Sequence, residues 1–413
     1  MKQTFYNHTF DNGLVLVAES MPSLESAALS ILVPAGCAYD PADRLGTSAM
    51  VCEMTLRGAG SRDNRQFVED LENLGVQRAE SVSSSHVGHS AATLATNLPA
   101  TLAIYADLLR RPHLPAEQLE ASRMVAIQEL RSIEDDPAHK VMLETRRRHY
   151  PEPWGRPSEG DMSGLEAIDV DDVRENFRRF YRPNGTIIGV AGNIDWPLLV
   201  DLVGNLLGDW KAVEAPPSKT GNAGAKFDHL PHESNQTQIG IAYASVPFSH
   251  PDYIQASGAV GVLSGGMSAR LFTEVREKRG LCYTVYASYQ TLRDRACVMC
   301  YAGTTAERAQ ETLDVTLGEI KRLAKGVEPH ELDRLKARVK SGLIMQQESS
   351  SARAGSIARE WYHLGRVRSM EEIGKLVESL SCESLGRYLA AHPPGDFTIV
   401  TLGPRPLEIR DAG

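Results

Sequence analysis

Ala28-Leu-Ser-Ile-Leu-Val33 alternates apolar and polar residues in the manner of a strand with one buried face, and Gln238-Ile-Gly-Ile-Ala-Tyr243 does the same in the second half of the chain. Three more pairs recur in the same order. Gly46-Thr-Ser-Ala49 opens a helix, as does Gly266-Met-Ser-Ala269. Pro115-Ala-Glu117 begins a long helical pattern that reaches about Arg148, and Pro329-His-Glu331 begins one that reaches about Ser350. Pro183-Asn-Gly-Thr-Ile-Ile-Gly-Val-Ala-Gly192 reads as a turn and strand, echoed by Pro394-Gly-Asp-Phe-Thr-Ile-Val-Thr-Leu-Gly403. Offsets of 210 to 220 positions relate the four pairs, so the chain is two copies of one α+β unit. In each copy a few strands precede several long helices, which implies a mixed or antiparallel sheet covered on one face by helices. The Pro-, Gly- and Ser-rich run Ala215–Gly224 marks a linker at 213–226 between an N-terminal domain at 1–212 and a C-terminal domain at 227–413. Two such halves are expected to face each other across a cavity.

The bulk properties exclude several classes. A chain of 413 residues is too long for one ordinary core, which agrees with a duplicated architecture. With 44 Lys plus Arg against 53 Asp plus Glu, and no basic tract, neither nucleic acid nor an anionic membrane surface is an expected partner. The opening MKQTFYNHTFDNGLVLVAES has one lysine and no long apolar run, so it reads as no targeting segment, and the expected location is cytoplasmic. No window approaches the ~18 apolar residues of a membrane span. The six cysteines, at 37, 52, 282, 297, 300 and 382, are scattered and read as reduced. Cys297 and Cys300 have a metal-like spacing, but they lie in an apolar run that reads as a strand, where residues three apart point to opposite faces.

Several longer stretches carry a family resemblance: FDNGLVLVAESMP, RMVAIQELRSIEDDP, PEPWGRPSEG, RPNGTIIGVAGNID and, most specifically, LSGGMSARLFTEVREKRGLCYTVYASY. Together they span nearly the whole chain. The sequence resembles the pitrilysin/insulinase (inverzincin) metallopeptidases, in the branch of about 400 residues that includes bacterial processing proteases, mitochondrial processing peptidase subunits and core proteins of the cytochrome bc1 complex. Active members carry H-x-x-E-H on a helix, because histidines one turn apart share a face and hold zinc while the glutamate activates the bound water. The resemblance places that helix at Gly46-Thr-Ser-Ala-Met-Val-Cys-Glu-Met-Thr-Leu-Arg-Gly58. Ala49 and Glu53 then stand at the histidine positions and Cys52 at that of the catalytic glutamate, while Glu129 matches the third ligand. This chain keeps one of the four groups, so no cofactor is expected in it.

Two other readings of the same residues compete with that loss. Cys52, Glu53 and Glu129, joined by one histidine of His86-Val-Gly-His89, would make a non-standard metal site and a self-sufficient peptidase. Cys52 as a nucleophile would need an activating histidine that the sequence does not identify.

The resemblance also implies that Arg276 and Tyr283 bind the substrate backbone and stabilise the tetrahedral intermediate, chemistry suited to a fixed cation beside a neutral donor. The plainer alternative pairs Arg276 with Glu274 or Glu277 and leaves Tyr283 to pack. Gly265-Gly266 lacks the lysine and spacing of a phosphate loop and reads as a tight turn. The resulting expectation is a peptide-binding, zinc-less subunit that supplies Arg276 and Tyr283 to a homologous partner carrying H-x-x-E-H and the zinc. The alternative is a structural or peptide-holding dimer like the core proteins, a homodimer included.

Overall fold

The two stretches read as equivalent strands lie at equivalent places in the two halves, although the second is buried on both faces rather than one, Gln238–Tyr243 being buried at every position. In the computed structural model, which describes residues 3–216 and 220–409, Ala28–Val33 lies within β3 and Gln238–Tyr243 within β10. The expected linker has no regular secondary structure where it is described, and its residues 217–219 lie outside the described residues.

In chain order the strands of the first half are β1 (Thr4–Thr9), β2 (Val15–Ser20), β3 (Ser26–Val33), a short hairpin of β4 (Gly58–Ala59) and β5 (Arg62–Asp63), β6 (Gln77–Val82), β7 (Val87–Leu94) and β8 (Ile187–Gly192). Those of the second half are β9 (Phe227–Pro231), β10 (Gln236–Ser245), β11 (Cys282–Thr291), β12 (Ala296–Thr305) and β13 (Thr398–Gly403). The first sheet runs β1-β2-β8-β3-β7-β6 and the second β11-β12-β10-β13-β9. Read from the other edge, the second sheet repeats the first without β1. The pairing senses repeat too: β2 with β8 and β9 with β13 are parallel, and the remaining equivalent pairs are antiparallel. The internal repeat is therefore a repeat of topology, and the chain is an α+β protein with two mixed sheets covered by helices.

Three readings of local structure are corrected. The pattern from Pro115 to Arg148 is not one helix but two, Leu119–Glu134 and Pro137–His149. Asp136 makes the break by capping the second helix, its carboxylate accepting from the amides of Ala138 at 3.0 Å and His139 at 3.2 Å, while Pro137 occupies the first turn, where a missing N–H costs nothing. The pattern from Pro329 likewise divides into Pro329–Gln346 and Ser350–Leu364, with Ser349 capping the latter. Gly266 does not open a helix directly: a turn at 266–269 follows helix Tyr253–Ser264, and helical conformation resumes at Arg270.

These breaks matter because the helices on either side of each belong to different compact units. One unit comprises Met1–Ser132, Arg156–Thr220 and Ile344–Ser369; the other comprises Ile133–Gly155, Gly221–Leu343 and Met370–Gly413. Each half thus contributes one helix to the sheet of the other.

In the first unit, one face of the sheet packs on its own helices through Leu29, Ile31, Ile188 and Val190. Its second face is also covered, by helix Ser350–Leu364, whose Ala354, Ile357 and Ala358 meet Val17, Ala28, Ile187 and Ala191. A Cβ on Gly189 would stand 2.5 Å from the Ala354 carbonyl, so only glycine allows this approach. Arg353, 1% exposed, donates to Glu19 on β2 at 2.5 Å, a buried charge pair that fixes the helix on the sheet.

The second unit repeats the arrangement. Helix Pro137–His149 lays Val141 against Tyr301, Val400 and Leu402, and the opposite face of the sheet packs on the remaining helices of that unit. With both faces covered, β8 and β13 are buried at every position, which explains their uninterrupted apolar character.

Candidate functional site

Helix Thr47–Thr55 follows a tight turn at Gly46, whose φ of 100° suits glycine. The buried carboxylate of Asp40 holds the start of this helix by accepting from the amides of Gly46 and Ser48, each at 2.9 Å, and from the Ser48 hydroxyl. Burial pushes Asp40 up to about 6, against the lowering effect of those hydrogen bonds. Met50, Val51 and Met54 turn into the core, leaving Ala49 and Glu53 together on the partly exposed face, one turn apart.

Here the residues do not suit zinc. Ala49 has no donor atom. The Glu53 carboxylate is already engaged by Arg57, one turn further along. Cys52 is buried, and burial, followed by the charges of Glu80, Glu53 and Glu129, pushes its thiol well above the ordinary range. It is thus kept protonated, neither a ready ligand nor a nucleophile. Glu129, which the resemblance sets at the third ligand position, lies on helix Leu119–Glu134, and its charge is among those that raise the Cys52 thiol.

Of the two histidines considered as extra ligands, His86 packs edge-on against Tyr362, whereas His89 is enclosed near Tyr105 and Tyr181. Burial holds His89 down to about 4. Among the described residues, no cluster of three close metal-binding atoms includes Cys52, Glu53, Glu129 or either of these histidines.

Arg276 and Tyr283, seven positions apart, are brought into direct contact. Two irregularities do this, and neither has a sequence signal. The segment Phe272–Glu277 is a π-helix, its widened turns marked by the Lys278 amide donating to the Thr273 carbonyl at 2.9 Å. A π-turn inserts a residue into a helix and re-aims the side chains that follow. Then β11 opens with a bulge: Cys282 pairs with Thr304 but Thr284 pairs with Gly303, so Tyr283 is the extra residue. Counted back from the buried Val285, regular alternation would turn Tyr283 inward. The bulge turns it out, and Tyr283 is 81% exposed.

The Arg276 guanidinium contacts two rings, 4.7 Å from the centroid of Phe272 and 4.9 Å from that of Tyr283. Its carboxylate neighbours do not neutralise it. Glu274 is taken by Lys278 at 2.7 Å and Arg279 at 2.8 Å, and among the described residues no carboxylate lies within ion-pairing distance of Arg276. The plainer alternative, an Arg276 ion pair with a packed Tyr283, is not what the structure contains. An exposed tyrosine hydroxyl beside an unneutralised guanidinium can donate to a peptide carbonyl and to the negative charge that develops on it.

The remaining sequence inferences fall into place around these two regions. Cys297 and Cys300 are both fully buried on β12 and point to opposite faces, one toward Tyr150 and Met299, the other into the helix-packed core. Gly265 and Gly266 form the turn that leads into the π-helix. Among the described residues no helix is long and apolar enough to cross a membrane.

Comparison with known proteins agrees with this architecture. Residues 15–155 match the family described as insulinase, peptidase family M16, and residues 167–339 match the M16 inactive domain. The chain belongs to the M16 peptidase family. It is 24% identical to the uncharacterized zinc protease YmxG of Bacillus subtilis over 96% of this chain and 98% of that one. It is 25% identical to an uncharacterized zinc protease of Mycobacterium tuberculosis, covering 96% and 92%. Among solved structures, a peptidase M16 inactive domain from Pseudomonas fluorescens superposes with a TM-score of 0.90 at 20% identity, covering 98% of this chain and 99% of that one. A protease from Helicobacter pylori superposes with a TM-score of 0.88 at 18% identity, covering 97% and 100%.

Proposed function

We propose that this chain is the zinc-free, peptide-binding subunit of a two-subunit M16 peptidase, lending Arg276 and Tyr283 to a composite site whose zinc and H-x-x-E-H helix come from a homologous partner. The observation that carries the reading is an asymmetry between the two motif regions. At the helix Thr47–Thr55 the ligand positions hold a methyl group and a carboxylate already paired with Arg57. At the second motif, a π-helix and a β-bulge together hold an exposed Tyr283 against a cation that has no carboxylate partner among the described residues. Together the two distortions set two donors side by side where an extended peptide could meet both.

Substrate would bind as a peptide of this subunit and its partner together. Arg276 supplies a fixed positive charge and Tyr283 a hydroxyl donor to the carbonyl oxygen under attack, and the attacking water belongs to the partner. Alone, the chain hydrolyses nothing. The test is peptidase activity of the purified chain by itself, of an H-x-x-E-H homologue from the same organism by itself, and of the two mixed. Only the mixture is expected to turn over efficiently, and a mixture no faster than the homologue alone would overturn the proposal.

A further inference from the structure

Outside both motif regions, one cluster joins three side chains of metal-binding type from distant parts of the sequence. His250 and Asp252 precede helix Tyr253–Ser264, and His392 follows helix Cys382–Ala391. One ligand atom from each of the three lies within 4.8 Å of the others. The same carboxylate oxygen of Asp252 is 3.9 Å from Nδ1 of His250 and 3.8 Å from Nε2 of His392. The two imidazoles meet edge to face at 5.7 Å, and the ring of Tyr388 backs His392 at 5.2 Å.

Asp252 supplies a second observation. It occupies the position preceding a twelve-residue helix, where an aspartate ordinarily accepts from the backbone amides of the first turn, yet its side chain makes no such bond. It stands instead between the two histidines. Its backbone amide donates to His250 Nδ1 at 3.1 Å, a hydrogen bond that ligation through that nitrogen would exchange.

We infer that His250, Asp252 and His392 form a binding site for a divalent transition metal of the zinc type, which ties the start of helix Tyr253–Ser264 to the end of helix Cys382–Ala391. Two imidazoles and a carboxylate are the donor set that zinc accepts, and tetrahedral ligation at about 2.0–2.1 Å asks that donors stand about 3.3 Å apart. The observed separations close to that value by small side-chain rotations, because all three groups are partly exposed. Three protein donors leave a fourth position for water. The site belongs to the unit that carries Arg276 and Tyr283, and its donors are not those of the family's zinc helix. It does not depend on the function proposed above.

The test is calorimetric titration of the full chain, stripped with chelator, with zinc chloride alone, together with melting temperature with and without zinc. One equivalent is expected to bind and to raise Tm. His250→Ala, Asp252→Asn and His392→Gln are each expected to weaken binding by about tenfold or more, at least the loss that follows removal of an outer-shell partner, and to abolish the zinc-induced rise. His392→Gln keeps size and polarity, so its metal-free form is expected to melt with the metal-free parent, which separates lost ligation from lost folding. Cys52→Ser is expected to bind zinc as the parent does. No zinc uptake, or uptake that is equal in the parent and the three ligand variants, would overturn the inference.

Discussion

The guanidinium of Arg276 lies over the ring of Tyr283, 4.9 Å from its centroid, and over the ring of Phe272 at 4.7 Å. The tyrosine is exposed while the arginine is held, so the pair presents a hydroxyl and a positive charge in a fixed relation. Cation–π contacts at exposed sites contribute about 0.5–1 kcal/mol each. That is enough to favour one arrangement of a long side chain that would otherwise sample many.

Phe272 is therefore a positioning residue. Phe272→Ala is expected to leave the fold and partner binding intact and to lower the turnover of the mixed peptidase by about fivefold, the rate equivalent of about 1 kcal/mol. The effect should fall on kcat more than on KM, and Phe272→Tyr, which keeps the ring face, should restore it. Equal turnover in Phe272→Ala and the parent would show that the stacking does not order Arg276.

Restoring the lost ligands tests the placement of the degenerate helix. Ala49→His, Cys52→Glu and Glu53→His together, made in a His392→Gln background to silence the other candidate site, are expected to create one equivalent of zinc binding that the background lacks. The third change also frees Arg57 from its only turn-spaced carboxylate. Glu129, which the resemblance sets at the third ligand position, would supply the remaining donor. No gain in zinc would mean that the helix Thr47–Thr55 is not the counterpart of the zinc helix.

Two buried groups in the same unit give opposite pH dependences. Burial holds Asp40 up to about 6 from 3.8, so between these values the folded state keeps a proton that the unfolded chain has released. Its stabilising contribution is complete on the acid side and is lost as pH rises through about 6. Burial holds His89 down to about 4 from 6.5, so the unfolded chain takes a proton that the folded state refuses, and stability is lost as pH falls through that window. Each shift corresponds to roughly 3 kcal/mol, and over the shared interval the two largely cancel. Asp40→Asn is expected to unmask acid lability below about 6.5, whereas His89→Leu is expected to make the unit gain stability as pH falls from 6 towards 4. Urea denaturation across that interval checks both, and parallel profiles for parent and variants would contradict the assignment.

The sequence carried the repeat because similar stretches recur in the same order, and Ala28–Val33 and Gln238–Tyr243 do lie in equivalent strands. The half-buried reading fails for β10, which is buried from Thr237 to Tyr243 because helices cover both faces of its sheet. The reading of Ala49, Cys52 and Glu53 as vacated ligand positions rests on residue identity at three spaced positions, and the zinc-restoration variant above tests it. The sequence hid the exchange of helices, since Asp136 and Ser349 are single capping residues inside otherwise continuous helical patterns, and nothing local says that Val141 and Ile357 pack on the sheet of the other half. The contact of Arg276 with Tyr283 was legible as a motif but not as geometry, because a π-turn and a bulge are decided by tertiary packing. His250 and His392 lie too far apart in the chain for spacing to link them.

The most direct test of the central claim is the turnover of a peptide by a mixture of this chain and its H-x-x-E-H homologue, comparing the parent with Tyr283→Phe at equal complex concentration. Loss of one donor to a developing oxyanion predicts a fall of roughly 10² or more, with assembly unchanged. Unchanged turnover in the Tyr283→Phe mixture would contradict the account and leave this chain a structural or peptide-holding partner.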